Sequence, residues 1–507
     1  MAQARTWSVG LVGVTGALVE VAVDAARGAP ALALVGLPDA VVRQSVDRVR
    51  AAVRRCGWSF PDGRVTISLS PAAMPKQGAG FDLALAVAAL AATGSMVLRD
   101  VDRLVFLGEV GLDGSLRAVR GVLPGVLAAR AAGFGAVVVP ADNAAEAALV
   151  PEMTVLPAED LRQVVAHLRR SGPRLAAHRP AAPAAPPPGP DLADVVGQAT
   201  GRRAIEVAAA GGHHLFLSGP PGAGKTMLAE RLPGLLPLLD DDVATQATAI
   251  ASVAGTLPPG APLIRRPPFE APHHSATAVS LVGGGSGQIR PGALSRAHGG
   301  VLFIDEAPEF PRSVLDTLRQ PLERGTVTVH RAHGSATFPC RAQLVLAANP
   351  CPCASPAGDA ACTCGSLERR RYQARLSGPL LDRVDLRVQL PPVTRASWLD
   401  GRAVPESTAV VAERVRAARA AAGERLAGTG LRTTSEVPGR LLRDRWPVPR
   451  SALGLAERAL ERGALSVRGL DRVVRVSWTL ADLAGRTVPG RDEVAEALGL
   501  RLAGVAA

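Results

Sequence analysis

Eight residues near the middle of the chain, Gly219-Pro220-Pro221-Gly222-Ala223-Gly224-Lys225-Thr226, lie between the apolar Leu215-Phe216-Leu217-Ser218 and an Ala- and Leu-rich stretch of helical pattern. This is the P-loop spacing in its required strand–loop–helix setting. A strand that ends in such a loop and continues into a helix belongs to a parallel sheet flanked by helices, so the centre of the chain is constrained to an α/β layer. The glycines let backbone N–H groups turn inward around phosphates at a helix N-terminus. Lys225 then reaches the β- and γ-phosphates of ATP, and Thr226 offers a hydroxyl to Mg²⁺.

A second apolar run, Val301 to Ile304, ends in Asp305-Glu306. A carboxylate at the tip of a neighbouring strand is where a further Mg²⁺ contact belongs. The adjacent glutamate is placed to orient and deprotonate an attacking water. A third run at 344–347 completes three buried strands separated by helical patterns. From about residue 405 the pattern is helical throughout, with candidate helices at 410–426, 451–462, 470–483 and 492–500, and reads as a lid.

The clearest boundary is the Pro-, Ala- and Gly-dominated stretch 171–190, an extended linker. It divides an N-terminal unit (1–170) from the α/β core (191–400) and the helical lid (401–507). The N-terminal unit reads as α/β. Strands are predicted at 64–69 and 136–139, a hairpin at 104–110 and 116–119 turning at Asp113-Gly114, and helices at 39–55, 81–92 and 122–132.

Of 57 basic residues only Lys76 and Lys225 are lysine, and the formal net charge is +12. The charge fits a polyanionic partner, or equally an arginine-rich background with no such partner. With aromatics at 3%, an exposed stacking platform for single-stranded nucleic acid is not expected. No basic region followed by an apolar leader opens the chain, no apolar run reaches the length of a membrane helix, and six cysteines do not make a disulfide scaffold. The expected location is the cytoplasm, without a membrane partner.

The segments Gly219 to Thr226, Pro272-His-His-Ser275, Gly299 to Glu306, Asn349-Pro-Cys-Pro-Cys353 and Ser377 to Asp385 resemble those of the YifB/ComM family of magnesium-chelatase-like AAA+ proteins. The resemblance implies a P-loop AAA+ core with a helical lid and a homo-hexameric ring whose sites are shared between subunits. It implies Asn349 as the sensor-1 residue, Arg383 as the arginine finger offered to a neighbour's γ-phosphate, and Arg468 as sensor 2. The stretch 270–291, with His273, His274 and Gly283-Gly-Gly-Ser-Gly287, resembles the helix-2 insertion of chelatases and replicative helicases. The runs 326–331 and 335–338, joined at Ala332-His333-Gly334, read as a β-hairpin. In the helicase relatives both devices grip DNA, which marks Arg331 and His333 as candidate phosphate contacts, without base readout. A solvent hairpin of incidental charge is the plain alternative. The paired histidines are read as a polar contact of the insertion, since no third metal ligand lies nearby in sequence.

Cys351, Cys353, Cys362 and Cys364 fall within fourteen positions, two pairs across a short loop, as a tetrahedral Zn²⁺ site requires. The C-x-C spacing is tighter than usual, and a cluster of reduced thiols is the alternative. The N-terminal unit resembles the Lon protease domain, an α+β fold of the ribosomal S5 domain 2-like type. On that resemblance the nucleophile's place is taken by Gly80 and the activating lysine's by Leu123, so nucleophile and base are both missing. Three functions follow. A DNA translocase or helicase promoting branch migration in recombination or natural transformation accounts for the charge, hairpin and insertion. A chaperone or unfoldase suits the Lon-like unit. A chelatase-type ATPase subunit shares the core alone. The first is the expectation.

Overall fold

A computed structural model describes residues 2–179, 189–285, 289–331, 334–355, 362–393 and 405–502. Residues 180–188 of the expected linker, and Ala332 and His333 of the hairpin, lie outside the described residues. The N-terminal unit is built on a mixed seven-stranded sheet in the order Ala31–Val35, Arg64–Ser70, Thr15–Ala26, Ala2–Val12, Leu104–Phe106, Ala136–Pro140, Thr154–Ala158. Its centre is a long antiparallel hairpin, Ala2–Val12 with Thr15–Ala26, in which Val19, Val21 and Val23 alternate into the core. This hairpin is absent from the sequence reading. The 104–110 run divides at Gly108 (φ +154°). Leu104–Phe106 joins the large sheet, while Glu109–Val110 pairs with Leu116–Arg117 across the Asp113-Gly114 turn.

Helix Ala40–Arg55 forms because Asp39 caps it, accepting from the Val42 amide at 2.7 Å, and because Val42, Val46, Val49 and Val53 recur on one buried stripe. That stripe packs on helix Asp82–Ala92, which is buried nearly all round. Asp82 is enclosed there. Burial drives its carboxyl up to about 6, against the pull of Ser45 and of Arg48, whose guanidinium lies 2.9 Å away. Helix Val122–Ala131 covers the other face of the sheet.

The core is a five-stranded parallel sheet ordered Phe269–Glu270, Val301–Ile304, Gln343–Ala348, Leu215–Ser218, Leu386–Gln389. The three expected strands form its centre, and the two outer ones are additions. The lid comprises helices Thr408–Leu426, Gly439–Arg445, Arg450–Glu461, Val467–Leu483 and Arg491–Leu502. Hairpin Thr326–Arg331 with Gly334–Pro339 projects ahead of strand Gln343–Ala348.

The N-terminal unit is seated on the core. Leu11 and Val14 pack against Ala336 and Phe338 of the hairpin and against Val253. Ser252 donates to Glu146, which also accepts from the Leu123 amide at 2.8 Å. Among the described residues no helix is long and apolar enough to cross a membrane.

Candidate nucleotide site and the arginines opposite it

Strand Leu215–Ser218 delivers the loop 219–224 to helix Lys225–Leu235. Gly222 (φ +76°) and Gly224 (φ +84°) take left-handed backbone that side chains disfavour, which bends the loop back over the helix start. The Lys225 ammonium, 8% exposed, donates to the carbonyls of Gly219 (2.7 Å) and Pro220 (2.9 Å) and to Asn349 Oδ1 (3.0 Å). Asn349 arrives from the tip of the adjacent strand Gln343–Ala348. Burial lowers the pKa of Lys225, and the nearby charges of Asp305 and Glu306 work the other way. The cation is thus held inside the loop by neutral acceptors alone among the described contacts.

At the end of strand Val301–Ile304, Asp305 accepts from the Thr226 hydroxyl at 2.9 Å and from the Glu306 amide at 2.8 Å. Glu306 has φ +48° and an exposed carboxylate, 3.3 Å from Nδ1 of His274 in the insertion. That contact escaped the sequence reading. The loop cradle, an ammonium and the hydroxyl–carboxylate pair are a donor set that fits a nucleoside triphosphate with Mg²⁺.

Arg383 and Arg468 lie elsewhere. Strands Leu215–Ser218 and Leu386–Gln389 are parallel with Leu215 opposite Leu386, so Arg383, just before the second strand, sits at the start of the sheet. The P-loop leaves its far end. Arg383 donates to the carbonyls of Arg319 (3.1 Å) and Pro379 (2.6 Å) and to Glu323. Arg468, near the start of helix Val467–Leu483, lines with Arg383, Arg319 and Arg472 a cavity of about 530 Å³. The four residues expected around one reaction are therefore two by two, at opposite edges.

Beside Arg383, Asp385 is buried and faces His213 Nδ1 (3.2 Å), Arg475 (3.5 Å) and Arg472 (3.7 Å). Burial pushes its carboxyl up, but the His213 hydrogen bond and the two guanidinium charges prevail and hold it below the usual carboxylate range. Arg472 and Arg475 belong to the lid helix, so this network ties lid to core.

The sulfurs of Cys351, Cys353, Cys362 and Cys364 all lie within 4.8 Å of one another. Those of Cys351, Cys353 and Cys362 are 3.3 to 3.5 Å apart. Four thiolates around one Zn²⁺ sit about 3.8 Å apart, so the group fits Zn²⁺. Arg331, at the end of its strand, donates Nε to Gly285 O of the insertion at 3.2 Å. In the Lon-like unit, Gly80 has open space where a side chain would stand, and Leu123 is buried.

The strand order, with the P-loop on an inner strand and the acidic pair one strand beyond its neighbour, is that of the AAA+ class. Three family descriptions match the chain: "Magnesium chelatase, subunit ChlI" over 191–398, "Subunit ChlI of Mg-chelatase" over 19–143, and "Magnesium chelatase, subunit ChlI C-terminal" over 405–501. An uncharacterised protein of Mycobacterium tuberculosis is 53% identical over 504 residues, 99% of both chains. Competence protein ComM of Haemophilus influenzae is 39% identical over 505 residues, 99% of this chain and 98% of its own. YifB of Escherichia coli is 37% identical over 490 residues, 96% and 95%. A shorter likeness, 29% over 153 residues, links the chain to Lon protease 2 of Bacillus subtilis. The chain belongs to the YifB/ComM family of magnesium-chelatase-like AAA+ proteins.

Proposed function

We propose that the protein is a cytoplasmic, ring-forming ATPase, a homo-hexamer, that moves along DNA without reading its sequence and promotes branch migration. Lys225 and the loop amides bind the triphosphate, Thr226 and Asp305 hold Mg²⁺, and Asn349 and Glu306 position and deprotonate water. The bound Mg²⁺ supplies charge to stabilise the leaving phosphates. Arg383 and Arg468 stand a full strand length from the P-loop of their own chain, which supports their service to a neighbour's nucleotide. Arg383 must then exchange Glu323 for phosphate when the neighbour docks.

The observation that carries the DNA reading is the bond from Arg331 to Gly285, which brings the hairpin and the glycine-rich insertion onto one surface. His333, which lies outside the described residues, is proposed as a second phosphate contact. The name of the Haemophilus relative, a competence protein, is in keeping with work on DNA. Unit 1–170 serves as a scaffold without peptidase activity. The cysteine cluster holds a structural Zn²⁺, and elemental analysis of protein purified without chelator should find about one per chain.

The deciding measurement is ATP hydrolysis with forked, duplex and single-stranded DNA across a salt series. Stimulation should be greatest with branched DNA and weaken as salt rises, because each neutralised phosphate releases counterions. A rate indifferent to every DNA form sinks the DNA reading and leaves an unfoldase or a chelatase-type subunit in its place.

A further inference from the structure

We propose that the N-terminal unit carries part of the DNA track, with Arg120 as a phosphate contact beside the hairpin and the insertion; this rests on the reading of the hairpin as a grip on DNA. Five segments of the chain meet around the small apolar cluster of Val253, Ala336 and Phe338. Leu11 and Val14 reach it from the turn of the N-terminal hairpin, and Ile289 from the insertion. The fifth is the corner before helix Val122–Ala131. There a Cβ on Gly121 would collide with Leu11 and lie 3.5 Å from Val253 Cγ2. Gly13 comes so near the core's hairpin that a Cβ would meet the Thr337 carbonyl at 2.9 Å. The two units are therefore in close contact at this point, with no room for added side chains.

Charge on these segments has one sign. The stretches 8–18, 118–121, 251–256, 283–291 and 326–339 include Arg120, Arg290 and Arg331, and neither aspartate nor glutamate. Glu146 at the same seam accepts from Ser252 and from the Leu123 amide, so its carboxylate is already engaged. Arg120 is exposed, and its guanidinium passes over Gly255, where a Cβ would stand 2.6 Å from Nε and 2.8 Å from Cζ. Gly255 (φ +75°) closes helix Asp241–Ala254, so the cation sits at the negative end of that helix. The helix end accounts for the position of Arg120 but leaves its donors unfilled. Its side chain has no hydrogen-bond or ion-pair partner among the described residues.

Arg331 repeats the arrangement on the other side of the cluster. Its Nη2 would stand 2.6 Å from a Cβ on Gly284, while Nε donates to Gly285 O. Arg290, on the strand paired with Gly283–Gly284, is exposed, and its side chain too is unpaired among the described residues. A guanidinium seated on glycine is steadied by backbone while its planar N–H fork stays free for a phosphate. A duplex carries one charge per about 1.7 Å of its axis, so cations on adjoining segments can meet successive phosphates without reading a base. The Lon-like unit thereby has a task that needs no nucleophile. It widens the grip of the hairpin on which Leu11, Gly13 and Val14 rest.

The test is binding of a fluorescein-labelled forked oligonucleotide to the full chain, read by anisotropy across a salt series. Arg120→Ala should weaken binding about tenfold at low salt, the scale of one lost bond to a charged group. The slope of log K against log salt should fall by about one, as for a single phosphate contact. Arg120→Lys, which keeps the charge, should restore the slope. Arg54→Ala, which removes an exposed arginine of helix Ala40–Arg55 in the same unit, should leave it unchanged. That control separates a local contact from the loss of one net charge. In the wild-type chain the fork should protect Arg120 from phenylglyoxal and leave Arg54 reactive, a readout independent of any variant's folding. An unchanged slope in Arg120→Ala, or an Arg120 that reacts equally with and without the fork, overturns the proposal. So does an Arg120→Lys chain as weak as Arg120→Ala, since that marks a packing role. A wild type that binds no fork at any salt brings down the DNA reading and this proposal together. A fork whose binding depends on Arg331, with Arg120 unprotected and its slope intact, brings down this proposal alone.

Discussion

The two edges of the parallel sheet both carry charge, and they treat it in opposite ways. At the edge where the strands end, Lys225 is bonded to two carbonyls and an amide oxygen, and Asp305 to a hydroxyl and a backbone amide. Among the described residues no ion pair involves Lys225. At the edge where the strands begin, Asp385 is enclosed and answered by His213, Arg472 and Arg475. The first edge leaves Lys225 and Asp305 without an ion pair among the described residues, which suits a site that a charged ligand completes. The second has matched them within the chain, and its task is to fasten the lid. Arg383 stands between these types, being paired with an exposed Glu323 it can release.

The sharpest way to break this contrast is at the unmatched edge. Glu306→Gln should still bind ATP yet hydrolyse it about 10²- to 10⁴-fold more slowly, because an oriented base is lost. Lys225→Ala should fail to bind ATP tightly, as read by equilibrium nucleotide binding. Arg383→Ala should also be inactive alone, on the scale of about 10³-fold or more for a lost finger. Mixing Arg383→Ala with Lys225→Ala chains should recover part of the activity, since some interfaces then pair an intact loop with an intact arginine. Mixed rings that form and stay inactive would show that Arg383 does not act in trans.

The matched edge should answer in stability. Asp385→Ala leaves Arg472 and Arg475, both partly buried, without their carboxylate, a kind of change that costs up to about 3–5 kcal/mol. For the core with its lid this lowers Tm by on the order of 10 °C. Asp305→Ala, at the open edge, should shift Tm by no more than about 2 °C while abolishing Mg²⁺-dependent hydrolysis. Equal shifts for the two carboxylates would erase the distinction.

What could be read from the sequence follows the same division. The loop around Lys225, the Asp305-Glu306 pair and the central strands announce themselves because their signals are local: glycines, apolar runs and a charge at a strand tip. The outer strands do not. Phe269–Glu270 has two residues, and Leu386–Gln389 carries Arg387 in its middle. Helix Gly439–Arg445 is mostly polar and shows no apolar stripe. The N-terminal hairpin is different, since Val19, Val21 and Val23 alternate plainly and that signal was available. The contact of His274 with Glu306 and the cations around Asp385 join residues distant in sequence, and only the fold discloses them.

The smallest expected effect is at the seam between the N-terminal unit and the core, where Glu146 tests whether a buried carboxylate there follows the Asp385 pattern. It accepts from Ser252 and from the amide of Leu123, and no cation is among its described partners. Burial raises its pKa, with the Ser252 bond opposing. The folded carboxyl thus titrates above the unfolded one, so this group's contribution to stability is fully present below the unfolded pKa and is lost as pH rises through the folded value. The seam should therefore loosen from mildly acidic to neutral pH, seen as faster amide exchange in helix Asp241–Ala254 after correction for the intrinsic rate. Ser252→Ala should cost about 1 kcal/mol at neutral pH, equivalent to roughly fivefold faster exchange. Glu146→Gln, neutral throughout and still an acceptor, should flatten the pH dependence. A seam equally tight at both pH values in wild type would mean that Glu146 is answered by charge after all, as Asp385 is.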